Sequence, residues 1–583
     1  MAASDQGRSW TTISLGSFIL VAGTIVSYLP ATQAGFIWDD DDYVIYNETL
    51  RTTDGLREIW LNPYSTPQYY PLVHTTFWLE YQCWQLDAPG YHKTNIIIHA
   101  ASTVLLWRIL VWLGVPGSWF AAAVFAIHPV HVESVAWITQ RKNVLSGFFY
   151  LASTRVLLPW FLETPESEAG RRKTRYCLGL VLFLCALLSK TVTASLPAAL
   201  LLVMLWKKRR IEARDVFGTL PLFLLAVPLG LYTSWLEKHY VGAQGEDWEF
   251  TFAERLLIAG RSAWLYAEKL IWPMNLTIYP KWNLDTSSWI QWLFPLAVAA
   301  LIAGLWGLRK RFGFGPLVCV LFFGGTLVPA LGFFNVFPML YFFVGDHFQY
   351  LASIGLIVLL VAGFSTIPFS TMPLAIQRLA FVFTVAILPI LGLLTFKQSR
   401  IYMNEEVLFQ DTINKNPNFW MPYSNLAEEY QRQGKLNLAV DHFQKSWDLI
   451  KNNSDLKDVR VLSAIQDNWG NTLCGTGQFD KAVPHYKKAI DIRPDHPLPY
   501  NNCGNALERL GRFDEALPYY LKALQINPDF GLAHSNLGRL LLRFGEWNEA
   551  VEHLKTAIRL NPNNREAIHN LELAIWKARG VDR

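Results

Sequence analysis

Four consecutive aspartates, Asp39 to Asp42, directly follow the first apolar segment of the chain. Carboxylates packed together beside low-dielectric headgroups repel one another, so at least one should have a raised pKa unless a cation or substrate compensates. Such a group suits a general base or a ligand of a divalent metal. The alternative is an acidic segment that keeps the loop outside the membrane and caps the following helix, and spacing alone favours neither interpretation.

Further ionisable residues lie between other apolar segments, where charged groups are by default functional hypotheses. They comprise three cations, a polar turn and a histidine-rich group: Arg141, Lys142 and Lys190, then Asp346, His347 and Tyr350, then His128, His131 and Glu133. Taken singly, each has a structural explanation, because lysines snorkel and polar residues cap helices. A zinc site in the histidine group is disfavoured because Pro129 interrupts the helical register that such motifs need. Together, an acid in one loop and cations in others fit a site for an anionic, lipid-linked substrate.

The elements that position these residues are membrane helices. The chain has 583 residues, of which 52% are hydrophobic and only 17% charged, too apolar for a soluble protein. Segments of about 18 or more apolar residues can cross a bilayer as helices. We count about eleven such spans, beginning near Thr11, Thr94, Ser118, Val144, Tyr176, Val192, Phe217, Trp289, Phe314, Gln349 and Leu379. The predicted transmembrane domain covers residues 1–396, with a first external loop at 35–92.

Orientation follows from the short loops that are rich in lysine and arginine, which stay on the cytoplasmic side. Three such clusters are Arg171 to Arg175, Lys207 to Arg210 and Arg309 to Arg311. They share one side if the amino terminus is cytoplasmic and residues 252–285 form an external interfacial helix and loop. The aspartates and everything after Lys397 then lie on the periplasmic, luminal or otherwise extracytoplasmic side.

The carboxy-terminal region repeats itself every 34 residues. Proline, glycine and alanine recur in one phase, as in Pro494, Pro528 and Pro562, Gly477, Gly511 and Gly545, and Ala482, Ala516 and Ala550. Each unit is interpreted as two amphipathic helices with a glycine turn between them. After a connecting helix at 397–416, residues 417–583 therefore resemble a tetratricopeptide repeat (TPR) domain, an α-solenoid of about four repeats. The fold class is all-α.

A solenoid of this kind leaves one concave face open, which favours binding of a peptide or protein. Asn468, Asn502 and Asn536 keep the repeat phase and could line that groove. The alternative is a rigid spacer or an oligomer contact. The net charge of +4 and the lack of a basic arm argue against a nucleic-acid partner.

The chain as a whole resembles the transmembrane and TPR-containing glycosyltransferases of the GT-C fold, which include protein O-mannosyltransferases and bacterial relatives. The resemblance covers nearly the whole chain. It is carried by Phe36 to Asp40, Pro71-Leu72, His99, the segment from His128 to Trp137, Arg141-Lys142, Ser189-Lys190 and Asp346 to Tyr350.

The resemblance implies a polyprenyl-phosphate sugar donor and an acceptor hydroxyl, on a protein, glycan or lipid, at the external face. Asp39 or Asp40 would be the base, with inversion at the anomeric carbon. Arg141, Lys142, Lys190 and His347 would hold the donor phosphate, and His128, His131, Glu133, Asp346 and Tyr350 would support the site. Relatives often carry arginine where His347 stands, which implies greater pH sensitivity here.

Two other functions remain as alternatives. A non-catalytic membrane-anchored TPR scaffold would use only the groove, and it predicts that loss of the Asp39 and Asp40 charges leaves function intact. A transporter would need polar residues at mid-span depth and broken helices in matching halves, which the sequence does not show clearly. The extra carboxylates Asp41 and Asp42 leave a divalent metal at Asp39 to Asp42 open.

Overall fold

The structure is a computed structural model, and it describes residues 10–163, 169–451 and 457–579. The chain divides into two compact units, Met1–Asn416 and Pro417–Arg583. Within the described ranges the fold is helical, with one isolated β-bridge between Tyr279 and Val344. The predicted all-α fold class is confirmed.

The first unit contains seventeen α-helices in the described ranges. They are α1 (Trp10–Ser27), α2 (Thr53–Leu61), α3 (Pro71–Trp84), α4 (Ala88–Trp112), α5 (Ser118–Ile127), α6 (Val132–Ala136), α7 (Arg141–Leu162), α8 (Ala169–Ser189), α9 (Leu196–Lys208), α10 (Ala213–Leu236), α11 (Phe252–Ile271), α12 (Trp289–Gly307), α13 (Arg309–Phe312), α14 (Gly315–Leu327), α15 (Ser353–Ser365), α16 (Leu374–Ser399) and α17 (Glu405–Lys415).

Seven helical segments of the described chain are long and apolar enough to cross a membrane. They are Ala88–Trp112, Ile138–Leu162, Thr191–Lys208, Ala213–Val241, Trp289–Gly307, Ser353–Thr371 and Leu374–Met403. The pair Ser118–Ile127 and Pro129–Ala136, bent by 51°, would make an eighth. The predicted eleven also include the shorter apolar helices Thr11–Ser27 and Gly315–Ala330, and α8, whose first turns are cationic. The multi-pass architecture is confirmed. The number of spans depends on whether these shorter or more polar helices cross the membrane.

The bend between α5 and α6 brings polar residues into the bundle. Pro129 follows His128, which has extended backbone angles because a residue before proline avoids the helical region. The chain then passes through short helical turns before α7 begins at Arg141. Every residue from His128 to Gly147 is buried, so this bend forms part of the core of the first unit.

Helix α11 begins with a capping box between Thr251 and Glu254. The sequence predicts that this helix lies in the membrane interface, and that remains a prediction. Two of its charges bond to protein groups: Arg255 donates to Gly332 O at 2.5 Å, and Lys269 donates to Asp346 Oδ1 at 2.6 Å. These partners attach α11 to the segment that precedes α15.

The second unit is a stack of helix pairs. Its helices are α18 (Trp420–Arg432), α19 (Leu436–Lys451), α20 (Val459–Gly475), α21 (Phe479–Ile492), α22 (Pro497–Arg509), α23 (Phe513–Ile526), α24 (Gly531–Phe544), α25 (Trp547–Leu560) and α26 (Arg565–Ala578). The glycine between the two helices of each pair has a positive φ: +72° at Gly434, +77° at Gly477, +74° at Gly511 and +82° at Gly545. Only glycine adopts this conformation without strain, which explains its recurrence.

Candidate active site

The acidic segment is fixed by the residue before it. Trp38 has a φ of +52°, a region that bulky side chains seldom occupy. Its indole stacks on Trp137 with ring centroids 5.2 Å apart, and its backbone N–H donates to Glu405 Oε1 at 2.8 Å. Strained backbone persists where its surroundings over-determine it, as at functional sites. These contacts fix the backbone at Trp38 and thereby the direction in which the Asp39 side chain projects from the backbone.

Asp40 is fully buried, and both of its carboxylate oxygens are engaged. Oδ2 accepts from the backbone N–H of Ile37 at 3.0 Å, and Oδ1 accepts from the backbone N–H of Thr139 at 2.8 Å and from its hydroxyl. Burial raises the pKa of Asp40 to about 7, although these hydrogen bonds oppose the rise. Asp40 thus ties the acidic segment to the start of α7 and has little capacity left for a substrate.

Asp39 is half-buried and has a different environment. No hydrogen bond to its carboxylate occurs within the described part of the chain. Burial raises the pKa of Asp39, the Lys142 ammonium opposes the rise, and the Asp42 carboxylate adds to it. A carboxylate with free acceptor sites and a raised pKa is suited to take a proton.

Arg141 is committed to protein partners, contrary to the prediction that it holds the donor phosphate. Its five N–H groups donate to Asn95 Oδ1, Thr76 Oγ1, both carboxylate oxygens of Glu80 and the backbone oxygen of Tyr91. The side chain is completely buried, and the two-pronged pair with Glu80 has lengths of 2.9 and 3.0 Å. Because no N–H remains, we exclude Arg141 from the phosphate-binding set proposed below.

Lys142 points towards the acidic segment. Its ammonium donates to Gln68 Oε1 at 3.1 Å and to the hydroxyl of Tyr43 at 3.4 Å, and the Tyr43 hydroxyl donates to the same Gln68 oxygen at 2.7 Å. The Lys142 ammonium opposes the rise in the pKa of Asp39, so its charge acts on the candidate base.

Lys190 lies in a cavity of about 370 Å³. Its ammonium donates to Asn143 Oδ1 at 2.7 Å and lies 5.7 Å from the ring centroid of Phe348. Burial lowers the pKa of Lys190 to about 7, and the nearby Lys142 ammonium adds to the effect. Further polar side chains that line the cavity include Tyr70, Ser146, Glu237, Asn335 and His347, whereas α10 contributes an apolar wall of Phe223, Val227 and Leu231.

His347 lines the same cavity, and Glu133 fixes its position. Its Nδ1 and its backbone N–H each bond to a carboxylate oxygen of Glu133 at 2.9 Å. Burial lowers the pKa of His347, and the Glu133 carboxylate opposes the change. The neighbouring Asp346 pairs with Lys269 at 2.6 Å, and burial raises the pKa of Asp346 to about 6. The predicted residues Glu133 and Asp346 therefore anchor this turn.

The two remaining predicted histidines bond within the bundle. His128 Nε2 bonds to Leu270 O at 3.0 Å, while His131 bonds to Phe125 O and to the Ser353 hydroxyl, both at 2.8 Å. His128 Nδ1 also accepts from the backbone N–H of Val130 at 3.3 Å, so the ring nitrogens of both histidines are engaged and unavailable to a metal. Across residues 10–163, 169–451 and 457–579, no group of three or more His, Cys, Asp or Glu side chains is arranged to hold a metal ion. The described residues include Asp39 to Asp42, so no such group is found in the acidic segment.

Tyr350 connects the cavity to the histidine core. Its hydroxyl forms a 2.8 Å hydrogen bond with His99 Nδ1, and its ring lies at an angle to His131 with centroids 5.3 Å apart. The side chain also lines the cavity. The supporting role expected of Tyr350 stays a prediction.

Several site residues are not apparent from the sequence. Glu237 in the cavity wall, Gln68 beside Lys142, Glu80 beneath Arg141 and Glu405 beneath Trp38 all depend on contacts between distant segments. Glu237 carries a weak signal, because it is an acid at the end of an apolar helix. The others look like ordinary loop or helix polar residues.

The three asparagines predicted to line the TPR groove form a ladder between the first helices of successive repeats. The amide bonds are Asn468 Nδ2 to Glu428 Oε1 at 3.0 Å, Asn502 Nδ2 to Asp467 Oδ1 at 3.1 Å and Asn536 Nδ2 to Asn501 Oδ1 at 2.9 Å. Their amide nitrogens therefore hold neighbouring repeats together. Groove binding through their oxygens stays a prediction.

Fold and site together define a multi-pass membrane protein with a TPR domain. Family models described as tetratricopeptide repeat match residues 461–529 and 507–575. The chain is similar to a protein O-mannosyl-transferase of Caenorhabditis elegans, with 31% identity over 26% of this chain and 23% of that protein. It is also similar to protein O-mannosyl-transferase TMTC4 of Mus musculus, with 24% identity over 73% of this chain and 65% of that protein. The resemblance predicted from the sequence is confirmed.

These matches cover less than two thirds of either relative's own length. Among solved structures, the chain is similar to the first TPR domain of the human RPAP3 protein, with 25% identity and a TM-score of 0.20 over 20% of this chain and 94% of that domain.

Proposed function

We propose that this chain is a membrane glycosyltransferase that moves a sugar from a polyprenyl-phosphate donor to an acceptor hydroxyl on a protein, at the non-cytoplasmic face. The observation that carries the proposal is the pairing of two features in one unit. Asp39 offers a carboxylate without a hydrogen-bond donor in the described chain, and the nearby cavity combines Lys190 and His347 with an apolar wall. The names of the similar proteins supply the reaction class.

The proposed reaction is a single displacement. The acceptor oxygen attacks the anomeric carbon of the donor while its proton passes to the Asp39 carboxylate. The bond between that carbon and the phosphate oxygen breaks, and the electron pair leaves with the polyprenyl phosphate. One base and one displacement predict inversion at the anomeric carbon.

The donor phosphate would lie between Lys190 and His347. The Lys190 ammonium stabilises the charge that grows on the leaving phosphate. When the His347 ring is protonated, it adds a second donor through Nε2, the ring nitrogen that does not face Glu133. The polyprenyl chain would follow the apolar side of α10, where Leu224, Val227 and Leu231 are exposed. Lys142 would keep Asp39 ionised instead of binding phosphate.

The orientation proposed from the cationic loops places the amino terminus in the cytoplasm and the TPR unit on the opposite side. The TPR unit would present the protein acceptor. A chain ending at Asn416 should then glycosylate a short peptide but not the full protein acceptor. Cysteine-accessibility labelling at Ser65 and Gln525 tests the orientation, because both should react with an impermeant reagent added from outside.

The central experiment is a transfer assay with purified protein, labelled polyprenyl-phosphate sugars and membrane extract. Asp39→Asn should lower the transfer rate about 10²- to 10⁴-fold, the usual contribution of a general base. Asp42→Asn, at an exposed position in the same segment, is the matched control and should retain most activity. Equal rates for wild type and Asp39→Asn would favour the scaffold alternative.

A further inference from the structure

The cavity that holds Lys190 also contains a buried carboxylate of opposite charge. Glu237 follows α10 in a π-helical turn and is 7% exposed. Gln68 Nε2 donates to Glu237 Oε1 at 2.6 Å, and the backbone N–H of Phe337 donates to Oε2 at 3.4 Å. No ion pair joins Glu237 to Lys190 in the part of the chain that the structure describes. Two hydrogen bonds, one short and one long, thus serve a carboxylate with about four acceptor sites.

A buried carboxylate is costly unless hydrogen-bond donors satisfy it. The donor phosphate cannot do so, because it is an anion and lacks a proton to donate. Sugar hydroxyls can satisfy the carboxylate, because each is neutral and donates an O–H. A cavity with a cation for phosphate and a carboxylate for hydroxyls matches the two polar parts of a sugar phosphate.

Two other polar side chains line the same cavity as Glu237. The Tyr70 side chain is 6% exposed and lines the cavity, and its hydroxyl forms no hydrogen bond within the described residues. Asn335 also lines the cavity; its Oδ1 accepts from Arg255 at 2.8 Å, which leaves its amide nitrogen to donate. The group therefore offers an acid, a hydroxyl and an amide donor, the set that polyhydroxyl ligands commonly use.

We infer that Glu237, with Tyr70 and Asn335, forms the subsite that binds the hydroxyls of the donor sugar, while Lys190 and His347 bind its phosphate. This inference rests on the proposed function. It makes Glu237 a residue that determines sugar specificity and separates recognition of the sugar from recognition of the lipid phosphate.

The test compares two probes on the full-length protein in detergent. One is a short-chain polyprenyl phosphate that carries mannose, and the other is the same lipid phosphate without sugar. Glu237→Gln keeps the size of the side chain but removes its charge. It should weaken binding of the mannose-bearing probe about 10- to 100-fold, as expected for a hydrogen bond to a charged group, and change binding of the sugar-free probe less than about twofold.

Matched variants distinguish the subsite from other effects. Glu254→Gln, in the capping box of α11, should bind both probes as wild type does. Leu231→Trp, which fills the apolar side of the cavity, should weaken both probes alike. If Glu237→Gln weakens both probes equally or neither, the subsite is wrong and the proposed function survives. If wild type binds neither probe, both proposals fail.

A second measurement covers the case in which Glu237→Gln does not fold. Mannose-bearing probes that lack one hydroxyl are titrated into wild type and into Tyr70→Phe. At least one missing hydroxyl should weaken binding to wild type about 10-fold or more, the same order as for a charged hydrogen bond. If every deoxy probe binds wild type as tightly as the parent, the subsite is overturned.

Discussion

Glu133 and His347 lie 214 residues apart in the chain and are joined by two hydrogen bonds of 2.9 Å. One reaches the backbone N–H of His347 and the other its ring Nδ1. The carboxylate thereby fixes both the turn and the ring, so that the opposite ring nitrogen is the one left for a ligand. His347 thus presents an oriented ring to the cavity.

The first prediction concerns this pair. The Glu133 carboxylate opposes the burial that lowers the pKa of His347, so Glu133→Gln should lower that pKa further. His347 would then stay neutral at the acidic end of the assay range. The donor KM near pH 6 should therefore rise about 10-fold for each unit by which the pKa of His347 falls. The donor KM of wild type and Glu133→Gln, measured from pH 5.5 to 8, checks this. Identical profiles would contradict it. Glu254→Gln, the same change of side chain in the capping box of α11, is the control and should keep the wild-type profile.

The second prediction separates the two adjacent aspartates. In Asp40, the two carboxylate oxygens together accept two backbone N–H groups and one hydroxyl. Asp40→Asn replaces one of these oxygens with an NH2 group, which then faces at least one of these donors. An unsatisfied buried donor costs about 1–3 kcal/mol. The variant should therefore lower the unfolding free energy, whereas Asp39→Asn should not. Thermal unfolding of both variants in one detergent tests the contrast, and a larger loss of stability for Asp39→Asn would reverse our assignment.

The sequence reveals the periodic parts of this protein better than its site. Gly477 and Gly511 recur because each turn needs a positive φ, a local requirement that a repeat makes visible. Arg141 and Lys142 are adjacent, yet consecutive residues at the start of a helix point about 100° apart. One meets Glu80 and the other Gln68, and neither partner can be inferred from spacing, because both depend on how distant segments pack.

The same limit applies to the acidic segment and to the cavity. Four aspartates in a row predict a charged site, but the sequence does not distinguish one aspartate from the next. The structure does, because the backbone N–H of Thr139 donates to the carboxylate of Asp40. Glu237 resembles an ordinary acid at a helix end until the bundle folds around it. Charge and hydropathy therefore predict which face carries chemistry, while side-chain assignments require tertiary contacts.

The third prediction concerns Arg141. Its guanidinium is a buried partner of Glu80, so Arg141→Met leaves an unpaired buried carboxylate and should cost about 3–5 kcal/mol of stability. Replacing both partners, as Arg141→Met with Glu80→Leu, should recover a large part of this loss, since well-packed apolar pairs often replace buried ion pairs. Chemical unfolding of the three proteins measures the effect. A stable Arg141→Met protein with a strongly raised donor KM would restore Arg141 to the phosphate site.

The last prediction uses the pH dependence of Lys190. Its pKa is lowered to about 7 by burial, so the ammonium form dominates below pH 7 and is lost as the pH rises. An anionic phosphate favours the ammonium, and the pKa of the bound form is therefore higher. The contribution of Lys190 to donor affinity should be constant well below pH 7 and should fall above pH 7 by up to about 10-fold per pH unit. Lys190→Arg keeps its charge throughout this range and should flatten the profile, even if its absolute affinity differs. Lys173→Arg, at an exposed position on α8, should leave the wild-type profile unchanged. A pH dependence that persists in Lys190→Arg would assign it to another group, with His347 the next to test.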